Sequence, residues 1–340
     1  LTSLRDKIFE AIPLNLKYAI SAGIGLFITI IGLRTSGLVV SSQATLVSIF
    51  SFTGSVADGT FNTAGISVVL FVVGLIVTAV LMARNVKGNI LLGILITWVL
   101  GIVCELCGIY VPDAAAGYAS LLPDFSNGLA VPSIAPTFLK MDFSQIANLG
   151  FLVVTFAFLL TSLFDTVGSL IGLGAKAELL DEEGNMPAVR GAMTSESVAT
   201  MIAGLLGNSA TCCSVECAAG IAEGGRTGLM ALTTGVLFLL SMFLSPIFLA
   251  IPSFATAPAL VVVGFLMASS VLKIDFNDPC EGIPAFLCFM GMPLCYSIVE
   301  GISLGIISYV LINLLCGNRK KISPMMYVLA VVFVLKYVLI

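Results

Sequence analysis

Long stretches without a charge decide what this chain can fold into. Residues 18–33 read YAISAGIGLFITIIGL, and residues 228–251 read GLMALTTGVLFLLSMFLSPIFLAI. Such runs fit the roughly 20 apolar residues that carry a helix across a bilayer. In hydrocarbon every backbone N–H and C=O must find its partner inside the protein, which favours helices as the spanning elements. Composition agrees: 59% of the 340 residues are hydrophobic and 10% are charged, against about 25% charged in a soluble domain. The chain reads as an all-α polytopic membrane protein, and no secretory signal pattern opens it.

Spans are expected near 17–33, 65–83, 89–108, 149–173, 191–207, 228–251, 257–272 and 325–340. Residues 208–227 are too short and glycine-rich for an ordinary span. Residues 281–315 are apolar but interrupted by Gly291, Pro293, Gly301 and Gly305, and read either as one kinked helix or as two short ones. About ten helical elements result. Arg5 and Lys7, then Arg84 and Lys87, then Lys176 and Arg190 fall on one side when the spans are counted. The positive-inside rule makes that side cytoplasmic. The opposite side holds residues 109–146, where Lys140 is the single base. Arg319, Lys320 and Lys321 join the cytoplasmic side if 281–315 crosses twice.

Several function classes drop out. The net charge is −4 with no basic patch, so nucleic acid is not an expected partner. Histidine is absent, which removes the commonest metal ligand and the usual acid–base group near neutral pH. Of the nine cysteines, Cys104 and Cys107 have CxxC spacing, but no second such pair follows. Cysteine reads here as a small hydrophobe, and neither metal nor redox use is expected. No Walker motif and no GxSxG is present, so ATP hydrolysis and enzymatic chemistry are not expected.

Two places break the apolar rule at membrane depth. In TSLFDTVGSLIG (161–172), Thr161, Ser162, Asp165 and Ser169 lie three to four apart and share a helix face. A carboxylate at the centre of a spanning helix costs roughly 2.5–3.5 kcal/mol on insertion scales and is a functional candidate by default. The plainer role for Asp165 is a hydrogen bond to a neighbouring helix. The second place is CCSVECAAGIAEGGRTG (212–228) with the preceding Gly207–Thr211. It reads as extended backbone feeding a half-helix, an arrangement allowed at depth where it lines a cavity and common at midplane binding sites. Glu216 would sit in the first turn of that half-helix. The helix N-terminus favours its ionised form by roughly 0.3–1 kcal/mol, while burial favours the neutral form. A balance of that kind lets a carboxyl exchange a proton near neutral pH, as a proton-coupled carrier requires. Glu223 and Arg226 read as an interfacial ion pair, Lys336 as a snorkelling lysine, and AELLDEEGNMP (177–187) as a solvated turn.

LFDTVGSLIG, DEEGNMP and Glu-x-Ala-Ala-Gly-Ile-Ala-x-Gly-Gly-Arg-Thr-Gly occur in this order. With LKYAISAGIGLFITIIGL (16–33), SIAPTFLKMDF (133–143), PALVVVGFLM (258–267) and IPAFLCFMGMPLCYSIVEGISLGIISYVL (283–311), they resemble the AzgA-type adenine/guanine/hypoxanthine permeases of the nucleobase–cation symporter-2 superfamily. The likeness runs over nearly the whole chain. It implies a UraA-like fold of fourteen segments in two inverted repeats of seven, divided into core and gate domains. About ten of the fourteen are expected here. Residues 1–148 would be gate-type segments of the first repeat with an extracytoplasmic loop, 149–251 core-type segments of the second repeat, and 252–340 its gate-type segments. The match begins where the family's fifth segment begins and residue 1 is Leu. The first four segments are therefore expected to be missing, and 1–340 alone is expected not to transport.

The resemblance also implies the site. Glu216 matches the base-binding, proton-linked carboxyl, and Asp165 binds the base, shares in proton coupling or organises the site. Cys213, Ser214 and Val215 would touch substrate, supported by Ser162, Thr166, Ser169, Asn208 and Thr211. Three substitutions set this chain apart. Ser162 replaces an Asp of the family's Asp-Leu-Phe-Asp. The run around Cys212 and Cys213 lacks the family's Thr/Ser content and its Tyr. Glu196 stands where Asp is common. The implied function is uptake of purine bases across the plasma (bacterial inner) membrane, with a proton as coupling ion, sodium as the other candidate, and no cofactor. The partners are a purine nucleobase and the lipid bilayer, with room for a homodimer. The alternatives are a carrier of the same fold for xanthine, uracil or an anion, and a non-transporting paralogue or fragment.

Overall fold

A computed structural model describes residues 4–126, 133–142, 144, 149–182, 184–186, 188–214 and 216–339. Among these the chain forms fourteen α-helices and one two-stranded sheet. The order is α1 (Leu4–Ala11), α2 (Leu14–Thr35), an antiparallel hairpin of β1 (Val39–Ser42) and β2 (Leu46–Ile49), α3 (Phe52–Ala57), α4 (Ile66–Ala83), α5 (Asn89–Leu106), α6 (Leu149–Lys176), α7 (Val189–Leu206), α8 (Cys217–Ala222), α9 (Gly228–Phe243), α10 (Ser245–Leu249), α11 (Ser253–Ala268), α12 (Pro279–Cys295), α13 (Ile298–Leu315) and α14 (Pro324–Leu339). Among the described residues, five stretches are long and apolar enough to cross a membrane: Leu14–Thr35, Phe61–Ala83, Asn89–Leu106, Ser253–Lys273 and Ile298–Leu315.

The spans expected from sequence are helical, with two refinements. The 228–251 run is not one helix. It breaks at Leu244, and α10 restarts with Pro246 in its first turn, where a missing N–H is harmless. The 281–315 run is two helices, separated by Tyr296 in a left-handed conformation and restarted by Ser297, whose hydroxyl accepts the Glu300 N–H at 3.4 Å. Asn313 donates to the Cys280 carbonyl at 3.1 Å and Tyr309 to Glu281 at 3.3 Å, so α12 and α13 form an antiparallel hairpin. The glycines that look like interruptions are its contact points. A Cβ on Gly291 would lie 3.2 Å from the Gly301 Cα, and one on Gly301 would lie 2.7 Å from the Cys288 carbonyl oxygen. Small residues let membrane helices approach this closely. The hairpin returns the chain to the end where it entered, and there Lys321 pairs with Asp278 at 3.2 Å.

The chain divides into two compact units. One comprises residues 28–132 and 223–265. Its core gathers Phe71, Trp98, Leu121 and Phe254, with the Trp98 indole donating to the Leu121 carbonyl at 3.0 Å. In its α4–α5 hairpin, Gly74 faces Thr97 and Gly93 faces Thr78. Both threonine hydroxyls bond the carbonyl four residues back at 2.7 Å, so neither leaves an unsatisfied donor in an apolar contact. Glu223 also reaches beyond its own loop. Its Oε1 accepts the Gly88 N–H at 3.2 Å and the Asn89 amide at 3.1 Å, capping α5.

The other unit comprises residues 1–27, 133–222 and 266–340. Here α6 runs beside α2 and α13: a Cβ on Gly168 would meet Ile298 and Ile302 at 3.3 Å, and one on Gly172 would meet Met267 at 2.8 Å. Phe164 stacks on Phe333 of α14 at 4.5 Å between centroids. Lys336 does not snorkel. Its ammonium pairs with Glu300, which also accepts the Tyr337 hydroxyl. The 177–187 turn is not wholly solvated either, since Gly184 and Met186 are buried and the Gly184 carbonyl accepts the buried Lys17 ammonium at 2.6 Å.

Candidate functional site

Three elements of the second unit converge at the residues singled out from sequence. The first is α6. Its Asp165 and Ser162 are half-buried, while Thr166 and Ser169 are buried. The side chain of Thr161 lies outside the described residues. Thr166 sends its hydroxyl to the Ser162 carbonyl at 2.7 Å, the back-bond open to a threonine inside a helix. The same oxygen is in hydrogen-bond contact with Glu196 Oε1.

The second element is α7, which carries Glu196 and ends at Gly207. That glycine adopts φ 75° and bonds back to Ala203 and Gly204. The position is closed to larger residues, because a Cβ would lie 2.6 Å from the Thr137 carbonyl oxygen. The SIAPTFLK segment reaches this end: the Leu139 N–H donates to the Leu205 carbonyl at 2.9 Å and Thr137 to the Leu206 carbonyl at 3.0 Å. A sequence block set apart by its resemblance thus satisfies carbonyls that a helix C-terminus leaves open.

The third element is residues 208–214 with α8. The run carries no helix or strand. Its backbone is held by Asn208, whose N–H returns to the Ala203 carbonyl at 2.9 Å, and by Thr200, whose hydroxyl donates to the Thr211 carbonyl at 2.9 Å. A turn then leads into α8, six residues long, which buries Ala218 and Ile221 and packs on α6. The segment is thus an irregular run followed by a short helix. Val215 lies outside the described residues.

Glu216 differs from expectation. It is exposed, and its Oε2 accepts the hydroxyl of Ser214. So short a helix covers its own apolar side and leaves its leading end open. Asn208 and Ser214 are exposed, and Thr211 and Cys213 are half-buried. Asp165, Glu196 and Glu216 all lie within electrostatic reach of the Cys212 thiol. The three carboxylates thus stand on three elements tied to one another by the Thr166–Glu196 and Thr200–Thr211 contacts. Among the described residues no group of three or more potential ligands is arranged to hold a metal ion. Glu196, seen from sequence only as a substitution for Asp, and Thr200, not singled out at all, belong to the constellation. Their signal was available: Glu196 and Thr200 are four apart and share a face of α7.

A family model described as "Permease family" (Xan_ur_permease) matches residues 1–303. The chain belongs to this permease family. Among its relatives, the guanine/hypoxanthine permease PbuG of Bacillus subtilis is 38% identical over 340 residues, covering 99% of this chain and 71% of that protein. The guanine/hypoxanthine permease PbuO of the same organism is 38% identical over 335 residues, covering 98% and 72%. The adenine permease AdeP of Escherichia coli is 36% identical over 332 residues, covering 97% and 68%. As a member of the family with several apolar helices, the permease is an all-α, multi-pass protein of the plasma membrane.

Proposed function

We propose that this permease takes up purine nucleobases (adenine, guanine or hypoxanthine) by secondary transport, with protons as the coupling ion, and that it performs no covalent chemistry on its cargo. The observation that carries the reading is that the irregular run 208–214, which leads to Glu216, is tied to α7 through Thr200 and Thr211, and α7 to α6 through Glu196 and Thr166, one turn from Asp165, in a chain similar to permeases named for these bases. Each of these bases offers a ring N–H donor, adenine and guanine an exocyclic amine as well, and a carboxylate accepts them. Glu216, exposed at the head of α8, can meet that donor edge. Backbone groups of 208–214, with Cys213 and Ser214, can meet the remaining polar atoms, with Asp165 on α6, which packs on α8. Thr166 supplies a route for a proton. Its hydroxyl has one hydrogen and two acceptors, the Ser162 carbonyl and Glu196. With that hydrogen on Ser162, the contact to Glu196 is completed by a proton on the carboxyl. Ser162, Ser169, Asn208 and Thr211 hold the scaffold.

The test is uptake of labelled adenine, guanine and hypoxanthine by cells that lack their own purine carriers and express the full-length protein. Xanthine, uracil and sulfate serve as competitors. Accumulation should collapse with an uncoupler and persist without sodium. Glu216→Gln should abolish it. Uptake unaffected by Glu216→Gln removes that carboxyl from the mechanism, and preferential competition by uracil or sulfate replaces the purine reading.

A further inference from the structure

The α12–α13 hairpin brings two cysteines together at the end where the chain enters and leaves it. Cys280 stands in the first turn of α12, and Cys316 is the residue that ends α13. Hydrogen bonds and an ion pair fasten these ends to each other. Asn313 donates to the Cys280 carbonyl at 3.1 Å, Tyr309 to Glu281 at 3.3 Å, and Lys321 pairs with Asp278 at 3.2 Å. Cys316 follows Asn313 by three residues and shares its helix face, so the Asn313 bond also holds that face against Cys280. The two thiols are in hydrogen-bond contact.

Neither behaves as a buried small hydrophobe. Cys316 is exposed and Cys280 half-buried. A Cβ on the neighbouring Gly317 would meet nothing within 4 Å, so a solute can reach the Cys316 sulfur. Lys321 and Asp278 act on Cys280 with opposite sign, which leaves access and the adjoining thiol, rather than a local field, to open the pair to exchange. Its compartment follows from its neighbours. Asn15, at the start of α2, gives its amide to the Asp275 carbonyl at 3.1 Å and accepts the Asp275 N–H at 2.8 Å. The pair therefore lies at the end where α2 begins, on the side of Arg5 and Lys7, and Arg319, Lys320 and Lys321 add to that side. The loop charges make it cytoplasmic, where thiols are kept reduced and disulfides are transient. Another thiol contact joins Cys213 to Cys217, but a bond there would close only a few residues beside the transport site.

We propose that Cys280 and Cys316 are a site of reversible oxidation, forming a disulfide that closes the α12–α13 hairpin when the cytoplasm turns oxidising. The oxidant is a small disulfide such as oxidised glutathione. The exposed Cys316 thiolate attacks one of its sulfurs, a mixed disulfide forms, and one glutathione thiolate leaves and takes up the proton that Cys316 lost. Cys280 then attacks the Cys316 sulfur, and the second glutathione leaves with the Cys280 proton. Two protein thiols are oxidised and one small disulfide is reduced. The sulfurs must close to about 2 Å, a movement that two helix ends, which fray, can absorb. The crosslink encloses the whole hairpin, and a disulfide restrains the unfolded chain more as its loop lengthens. Oxidation therefore stabilises the hairpin, which packs on α6 through Ile298 and Ile302.

The full-length protein, purified in detergent with its thiols reduced, is exposed to oxidised glutathione and then to dithiothreitol. The readouts are a mass-spectrometric map of disulfide-linked peptides and the thermal unfolding midpoint. A peptide joining Cys280 to Cys316 should appear with the oxidant and vanish with the reductant. The midpoint should rise by roughly 5 °C and return. Cys316→Ser should abolish both changes. Cys280→Ser should stop the reaction at a glutathione adduct on Cys316, and Cys295→Ser, at the other end of α12, should change nothing. The map is made on the wild-type protein, so it decides the matter even where a variant does not fold. Glutathione adducts alone in the wild type, either cysteine joined to a different one, no reaction at either sulfur, or an equal rise of the midpoint in Cys316→Ser overturns the proposal.

Discussion

Lys17 donates to the carbonyl of Gly184 at 2.6 Å, across 167 residues of sequence, with none of its side chain exposed. A buried ammonium is costly unless it is bonded and has opposite charge nearby. Here Asp181 and Glu10 supply that charge, and the ring of Phe9 lies 4.7 Å from the nitrogen. The bond pins the turn that joins α6 to α7, and so the two helices bearing Asp165 and Glu196. Gly184 suits the acceptor position, because its φ of 80° and a 2.7 Å approach to Leu14 Cδ1 leave no room for a Cβ.

Lys17→Met removes the donor and leaves the Gly184 carbonyl buried. An unsatisfied buried acceptor costs about 1–3 kcal/mol, and the full-length protein should lose stability on that scale. The 178–186 turn should also become the first point of protease attack. Chemical denaturation and limited proteolysis check both. An unchanged midpoint with an unchanged cleavage pattern shows that the bond does not hold the turn.

The α4–α5 hairpin offers a test of close helix packing with an internal control. Gly74 and Gly93 each touch a threonine of the facing helix, whereas nothing lies within 4 Å of a Cβ placed on Gly235 in α9. Inserting bulk into a packed contact costs roughly 1–3 kcal/mol. Gly74→Leu and Gly93→Leu should therefore each destabilise the protein by about that much, while Gly235→Leu stays within about 0.5 kcal/mol of wild type. Thermal unfolding of purified variants decides it. Equal behaviour of Gly74→Leu and Gly235→Leu contradicts the packing described.

Glu300 links α13 to α14 through Lys336 and Tyr337. The two charged side chains are 26% and 19% exposed, so the full penalty of a buried broken pair, about 3–5 kcal/mol, is reduced by solvent screening. Lys336→Met should cost roughly 1–3 kcal/mol on that basis. The charge-reversed pair Glu300→Lys with Lys336→Glu should recover part of the loss that either single reversal causes. A double-mutant cycle with no coupling term rejects the link between the helices.

What could be read from the chain itself follows the range of each interaction. Spanning helices are local patterns, and α2, α4, α5 and α7 lie within a few residues of the expected limits. The break at Tyr296–Ser297 also had a local sign: Ser297 and Glu300 have the Ser-x-x-Glu spacing of a helix start, although Glu300 spends its carboxylate on α14 instead. The β1–β2 hairpin was signalled only by short Val- and Leu-containing runs flanking SSQAT, which hydropathy merges with the preceding span. Partners such as Lys17 and Gly184, or Glu300 and Lys336, are joined by the fold alone, so no window of sequence contains them. In the candidate site, Asp165 and Glu216 stood out because a charge is rare in an apolar run. Glu196 did not, because it lies among Thr194, Ser197 and Thr200, where an acid looks at home.

Thr166 is where the site reading and the fold can be separated. Its hydroxyl meets both the Ser162 carbonyl and Glu196. Thr166→Val keeps the shape of the side chain and removes the hydroxyl, so the packing of α6 changes little while Glu196 loses its partner. A hydrogen bond to a group that carries charge is worth about 1.5–3 kcal/mol, and about 1.4 kcal/mol is tenfold in a rate. Purine uptake by Thr166→Val should therefore fall roughly ten- to hundredfold at equal surface expression. Thr166→Ser restores the hydroxyl and should recover most of it. If the bond serves proton transfer, the defect should lie in the maximal rate and steepen with external pH, while binding of the base to the purified protein stays near wild type. A loss confined to base affinity would make Thr166 a substrate contact instead. Wild-type uptake by Thr166→Val would leave the Thr166–Glu196 contact as packing between α6 and α7.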